Sequence, residues 1–160
     1  MMKKGQGWGF DLVVGLMIFL SGILFFYFYA VNNSGVDDQK LLSFEQEAKL
    51  VSGNLLSEGF PADWNENNVE RIGFYDNERI NQTKLERFFN LSMSDYQRTK
   101  RLFNVKDNYY IYFPSGVSNG TGSVYYIGNN QTQSAENIVK TSRAVIYQNK
   151  IIGMEVDVWD

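Results

Sequence analysis

From Leu12 to Val31 the chain runs for 20 residues without a formal charge (LVVGLMIFLSGILFFYFYAV), and no other feature limits its fold so strongly. As an α-helix, at a rise of about 1.5 Å per residue, this stretch is about 30 Å long, the thickness of bilayer hydrocarbon. Asp11 is the only charge between Trp8 and Val31. A buried helix of a soluble domain keeps a polar edge over such a length. A cleaved secretory signal has a shorter apolar region, about 7 to 15 residues, followed by a small-residue cleavage site. Here Ala30 is followed by Val-Asn-Asn-Ser-Gly, with no A-x-A pattern. The reading is a single membrane-spanning helix. Lys3 and Lys4 precede it and Asp37 and Asp38 follow. Because positive charge stays on the cytoplasmic side, residues 32–160 are expected outside the cell. Tyr27 and Tyr29 then fall near the outer interface, where a ring stays in the apolar layer and its hydroxyl meets water.

What remains of the 160 residues is enough for one domain of about 100 to 130 residues. The net charge of -3 comes without a basic patch, so nucleic acid is not an expected partner. Cysteine and histidine are both absent. Disulfides, thiolate metal sites, Ser-His-Asp and Cys-His catalysis and the usual zinc and haem ligands are therefore excluded. No motif arranges the remaining carboxylates, lysines, serines and tyrosines for catalysis, and neither an enzyme nor a cofactor is expected. Asp63, Asn65, Glu66, Asp76 and Glu78 carry oxygen ligands, but their spacing lacks an EF-hand pattern and they read as solvated loop residues.

Lys3-Lys4-Gly5-Gln6 is a short basic leader ending in Gly, and the apolar helix follows at once. A candidate cleavage site thus lies in front of the apolar segment rather than behind it. This arrangement resembles the class III (prepilin-type) signal peptide of archaeal type IV pilin-like proteins. The resemblance implies a prepilin peptidase that cuts after the leader and leaves the apolar helix on the mature chain. A cut between Gly5 and Gln6 makes Asp11 the sixth mature residue. A cut between Gln6 and Gly7 makes it the fifth, where the family commonly carries an acid, but leaves Gln on the departing side; the first is preferred. The resemblance also implies that the helix, with Trp8 and Phe10 beside Asp11, is the assembly element. In the family, the acid meets the N-terminal amine of a neighbouring subunit. Read from the residues alone, Asp11 is equally a carboxylate at headgroup level that favours the positive end of the helix.

Asn32 to Asp38 (NNSGVDD) interrupts the apolar run, and a kink or short break is expected there. Leu41, Phe44, Ala48, Val51 and Leu55 then recur at helical spacing, widened by Leu42 and Leu56, so an amphipathic helix is expected to end near Gly59. Beyond Pro61 the pattern predicts a short strand over 69–74. A helix follows over 84–89, capped by Asn81 or Thr83, and another over 95–103, capped by Ser92 or Ser94. The remainder is rich in aromatic and β-branched residues in four runs, 108–113, 123–128, 143–148 and 151–159, with a tight hairpin at Gln148-Asn149-Lys150. In the last run Ile152, Met154, Val156 and Val158 alternate with Gly153, Glu155 and Asp157, predicting one buried and one wet face.

The fold class expected is α+β: a long N-terminal helix, half transmembrane and half amphipathic, packed on an antiparallel sheet of about four strands, as in pilins. The divisions are a leader over 1–5, the transmembrane and assembly helix over 6–31, an amphipathic region over 32–59 and a β-rich extracellular domain over 60–160. G-F-P-x-x-W with V-x-x-I-G-F (Gly59 to Phe74), and R-A-V-I-Y followed by I-x-x-M-E-V-x-V-W, look like segments of small archaeal pilin-like proteins. Tyr109, Tyr110, Tyr112, Tyr125 and Tyr126 read as cross-strand aromatic pairing rather than a binding platform. Five N-x-S/T sequons, at Asn32, Asn81, Asn90, Asn119 and Asn130, are candidates for N-linked glycosylation on an extracellular surface, and Asn119 and Asn130, in turn-like segments, are the two expected to be occupied. The function expected is a structural subunit, major or minor, of an extracellular type IV pilus-like filament, with the membrane, a prepilin peptidase and other pilin-like subunits as partners. A monomeric, membrane-anchored extracellular binding module is the alternative.

Overall fold

The computed structural model describes the backbone of residues 6–160 and the side chains of 9–31 and 39–160. Ten elements follow one another: α1 (Gln6–Leu55), β1 (Tyr75–Asp76), β2 (Arg79–Ile80), α2 (Gln82–Ser94), α3 (Tyr96–Phe103), β3 (Asn108–Ser118), β4 (Ser123–Gly128), a 3-10 turn (Thr132–Ser134), β5 (Ile138–Tyr147) and β6 (Lys150–Trp159). The chain divides into two compact units, residues 1–40 and 41–160. The fold is α+β, with a long apolar N-terminal helix and an antiparallel four-stranded sheet.

In the first unit, Gly9–Val31 is a 23-residue helical stretch long and apolar enough to cross a membrane, with none of it buried. Its one side-chain hydroxyl among the serines, Ser21, is satisfied internally by donating to the Met17 carbonyl at 2.8 Å. The break expected over Asn32–Asp38 is absent, since α1 continues through it.

In the second unit Phe44, Ala48, Val51 and Leu55 are buried along one side of α1. Leu41 and Leu42, expected on that stripe, are exposed. The helix ends at Leu55 rather than near Gly59, which belongs to the turn that follows. No strand forms over 69–74. Instead Phe60 and Arg71 make an isolated bridge, and the Trp64 indole donates to the Gly73 carbonyl at 2.8 Å. Trp64, Ile72 and Phe74 are fully buried, so the apolar signal there records core anchors on irregular backbone. Gly59 holds φ +81, and a Cβ there would meet the indole, which is why this turn takes glycine.

Asn81 caps α2, accepting from the Lys84 N–H at 3.2 Å, and the helix runs on to Ser94. Asp95, not Ser92 or Ser94, caps α3, accepting from the Arg98 N–H at 2.9 Å. Ser92 is buried, and Ser94 turns back to the Leu91 carbonyl.

The sheet has the order β4-β3-β6-β5, antiparallel throughout. β3 and β5 are longer than the aromatic runs suggest. β3 passes through a register shift between Tyr112 and Val117, where Pro114 lacks a ladder donor and Gly116 holds φ +69. Gln148 and Asn149 both have positive φ in the two-residue turn between β5 and β6, the geometry of a tight primed hairpin. Met154, Val156 and Val158 face the core with Tyr109, Ile111 and Phe113 of β3, and the helices bring Leu55, Leu85, Phe88 and Phe103 to the same cluster. Tyr109 is clamped there. Its hydroxyl donates to Thr99 Oγ1 at 2.5 Å, its N–H donates to the Tyr96 hydroxyl at 2.8 Å, and that hydroxyl donates to the Tyr109 carbonyl at 3.0 Å. Burial pushes the Tyr96 phenol up to about 12 and the Tyr109 phenol further still.

Candidate functional surfaces

Gly5 lies outside the described residues, as do the side chains of Gln6, Trp8 and Asn32, although Gln6 opens α1 and Trp8 and Asn32 are within it. Phe10 is 70% exposed, in keeping with an apolar side chain that has no protein layer around it. Asp11 is exposed and pairs with no described residue. At about 100° per residue, Gly15 and Gly22 lie within about 40° of Asp11 around the helix axis. A Cβ at either glycine would meet nothing within 4 Å. Asp11 thus stands at the end of a helix side where another backbone can approach closely.

The second unit brings together groups on the outer face of its sheet that sequence alternation treats as merely wet. Asp157 on β6 lies between Tyr110 on β3 and Lys140 on β5, its directly opposed neighbours on the two flanking strands. Its side chain is 1% exposed, and Lys140 Nζ stands 3.5 Å from Oδ2 and 2.9 Å from Glu155 Oε2. Burial raises the Asp157 carboxyl, while the Tyr110 hydroxyl and the Lys140 ammonium draw it back. Neither carboxylate oxygen meets hydrogen-bond geometry, so those attractions act through space rather than as made bonds. The pair with Glu155 holds Lys140 above its ordinary value, and burial pushes the Tyr110 phenol up to about 12. The prediction that Asp157 sits on a solvated face is corrected here: two flanking strands with long side chains enclose it. Trp159, on the same face, is buried too, its indole donating to the Asn129 carbonyl at 3.2 Å. The cluster spans three neighbouring strands, with a buried carboxylate between a phenol and an ammonium.

The tyrosines divide. Tyr109 is core, Tyr110 and Tyr112 are half-buried on the outer face, and Tyr125 and Tyr126 are about half exposed on the edge strand β4. Tyr112 and Tyr126 are directly opposed in the register of β3 and β4. Beside β4, an open apolar groove of about 260 Å³ is lined by Phe89 and Met93 of α2 with Val124, Tyr125 and Tyr126. None of its lining residues carries a formal charge. Among the described residues no three carboxylates gather as a cation site.

The sequons differ in what their side chains already do. Asn81 is the α2 cap, with Nδ2 3.5 Å from Asp76 Oδ2. Asn90 is exposed on α2, but its sequon partner Ser92 is buried. Asn119 Oδ1 accepts from the Thr121 N–H, the Thr121 hydroxyl and the Gly122 N–H at 2.9–3.2 Å. Asn130 is exposed in the connection between β4 and β5. The cap at Asn81 was legible from sequence; the engagement of Asn119 and Asp157 depends on backbone turns and strand register that residue types alone do not carry. No protein-family model matches the chain, and neither a curated protein nor a solved structure matches it.

Proposed function

We propose that the chain is a pilin-like structural subunit: inserted by its N-terminal helix, trimmed by a prepilin peptidase at the leader, and assembled with other pilin-like subunits into an extracellular filament. The observation that carries this reading is the unburied apolar helix Gly9–Val31, which has an acid near its start and a basic leader ending in Gly5 before it. Insertion scales put a carboxylate in hydrocarbon at a cost of about 2.5 to 3.5 kcal/mol, which a neighbouring subunit's amine offsets. In lipid, helices associate through close packing and polar contacts rather than hydrophobic exclusion, and the Asp11, Gly15 and Gly22 side offers both. The second unit then forms the part displayed to solvent. The groove beside β4 supports the alternative, a monomeric anchored binding module, which shares the anchor but needs neither trimming nor assembly.

The test is the N-terminal residue of the membrane-extracted protein, read by mass spectrometry of its first peptide. Gln6 or Gly7 at the start, with the helix retained, is expected; an intact Met1 or Met2 refutes the trimming step and leaves the anchored module. Gly5→Leu is expected to block maturation. Asp11→Ala is expected to leave trimming in place and reduce the sedimentable, filamentous fraction.

A further inference from the structure

We infer that, among the four sequons of the second unit, Asn130 is the one that carries an N-linked glycan. This rests on the reading above that the second unit stands outside the cytoplasm. In the transfer, Asn130 Nδ2 bonds to the anomeric carbon of an oligosaccharide. The bond from that carbon to the phosphate oxygen of a polyprenyl-phosphate carrier breaks, and the proton lost from Nδ2 neutralises the departing phosphate by way of the transferase. A transferase working on the folded chain needs a carboxamide that is not already held in place and a reachable Ser or Thr hydroxyl.

Only the Asn130 sequon meets both among the described residues. Its carboxamide makes no hydrogen bond to any described residue, Gln131 is exposed and Thr132 is half-buried. The backbone of Asn130 takes part in one local turn bond, accepting from the Thr132 N–H at 2.8 Å. The segment is anchored one residue earlier, where the Asn129 N–H donates to the Tyr109 carbonyl at 3.0 Å and the Asn129 carbonyl receives the Trp159 indole. Asn130 therefore projects from a fixed base. The open polar hollow beside it, lined by Gln131, Gln133 and Ser134, offers amide and hydroxyl partners to the first sugar. By contrast, the Asn81 oxygen caps a helix, the Asn119 oxygen accepts three bonds that hold its carboxamide and the Thr121 hydroxyl in their own turn, and Asn90 presents a hydroxyl directed inward at Ser92.

The experiment extracts the full chain from membranes of cells that express it natively and quantifies glycopeptides at every sequon by mass spectrometry. Protease treatment of intact and lysed cells reports separately which side the second unit occupies. Occupancy at Asn130 above the other sequons of the second unit is expected, with N130Q losing the glycan mass and N119Q retaining it. A bare Asn130 in a domain that is cut on intact cells overturns the glycan inference alone. A domain cut only after lysis overturns the orientation, and the glycan with it. Higher occupancy at Asn81 or Asn119 shows transfer before folding and refutes selection by the folded surface.

Discussion

Adding one methyl group at two glycines six positions apart is expected to move stability in opposite directions. Gly53 is exposed on α1, and a Cβ there meets nothing within 4 Å. Gly53→Ala is therefore expected to stabilise by about 0.5 to 1 kcal/mol, because alanine loses less backbone freedom on entering a helix. Gly59 is buried at φ +81, and its Cβ would lie 2.6 Å from Trp64 Nε1, 2.7 Å from Trp64 Cδ1 and 2.9 Å from the Arg71 carbonyl oxygen. The left-handed conformation costs a non-glycine residue about 1 to 2 kcal/mol. Overpacking adds about 1 to 3 kcal/mol, since the indole cannot retreat without giving up its bond to Gly73. Gly59→Ala should thus lose about 2 to 5 kcal/mol, a large share of the roughly 5 to 15 kcal/mol typical of a domain. Urea unfolding of the full chain in detergent, followed by near-ultraviolet circular dichroism and tryptophan fluorescence, measures both. A Gly59→Ala loss below about 1 kcal/mol would show that the turn shifts freely and that Trp64 does not fix it.

The outer-face carboxylate gives a pH signature. Asp157 is raised in the folded chain, so the folded state holds its proton over a window in which the unfolded chain has released it. Its contribution is fully present below the ordinary carboxylate value and is lost as pH rises through the raised one. Asp157→Asn is expected to flatten this fall and to match or exceed the parent at pH 7 by up to about 1 kcal/mol, with Lys140 keeping Glu155; urea midpoints at pH 4 and 7 test it. A loss at pH 7 would show that the attraction of Lys140 outweighs burial. Glu47 reaches from α1 to accept the Lys106 and Asp107 N–H groups at 3.0 and 3.1 Å. Glu47→Ala leaves both donors without that partner and is expected to cost about 1 to 3 kcal/mol in the same unfolding assay.

Periodicity carried what depends on neighbours along the chain. The alternation of Met154, Val156 and Val158 marks a strand because each side chain's face follows from its position in the pleat, and β6 buries all three. Asn81 was legible as a cap because its oxygen reaches a donor only three residues on. The same local logic failed at Asp157. Its alternation is right and its exposure wrong, because exposure is decided by Tyr110 and Lys140, which lie 47 and 17 residues away in sequence and directly opposite in the sheet. Val69 to Phe74 failed for a related reason. Its apolar residues are buried as a strand's would be, but the Trp64 indole takes the Gly73 carbonyl and Phe60 makes the single bridge, so the backbone bonds go to a turn rather than a ladder. Leu41 and Leu42 show the opposite error, since helical spacing assigns a face without saying where the opposing layer ends, and among the described residues of α1 the first buried one is Phe44. The candidate surfaces divide in the same way. A leader, an apolar span and an acid are one-dimensional features, whereas an available carboxamide at Asn130 is defined by bonds that Asn81 and Asn119 have already made.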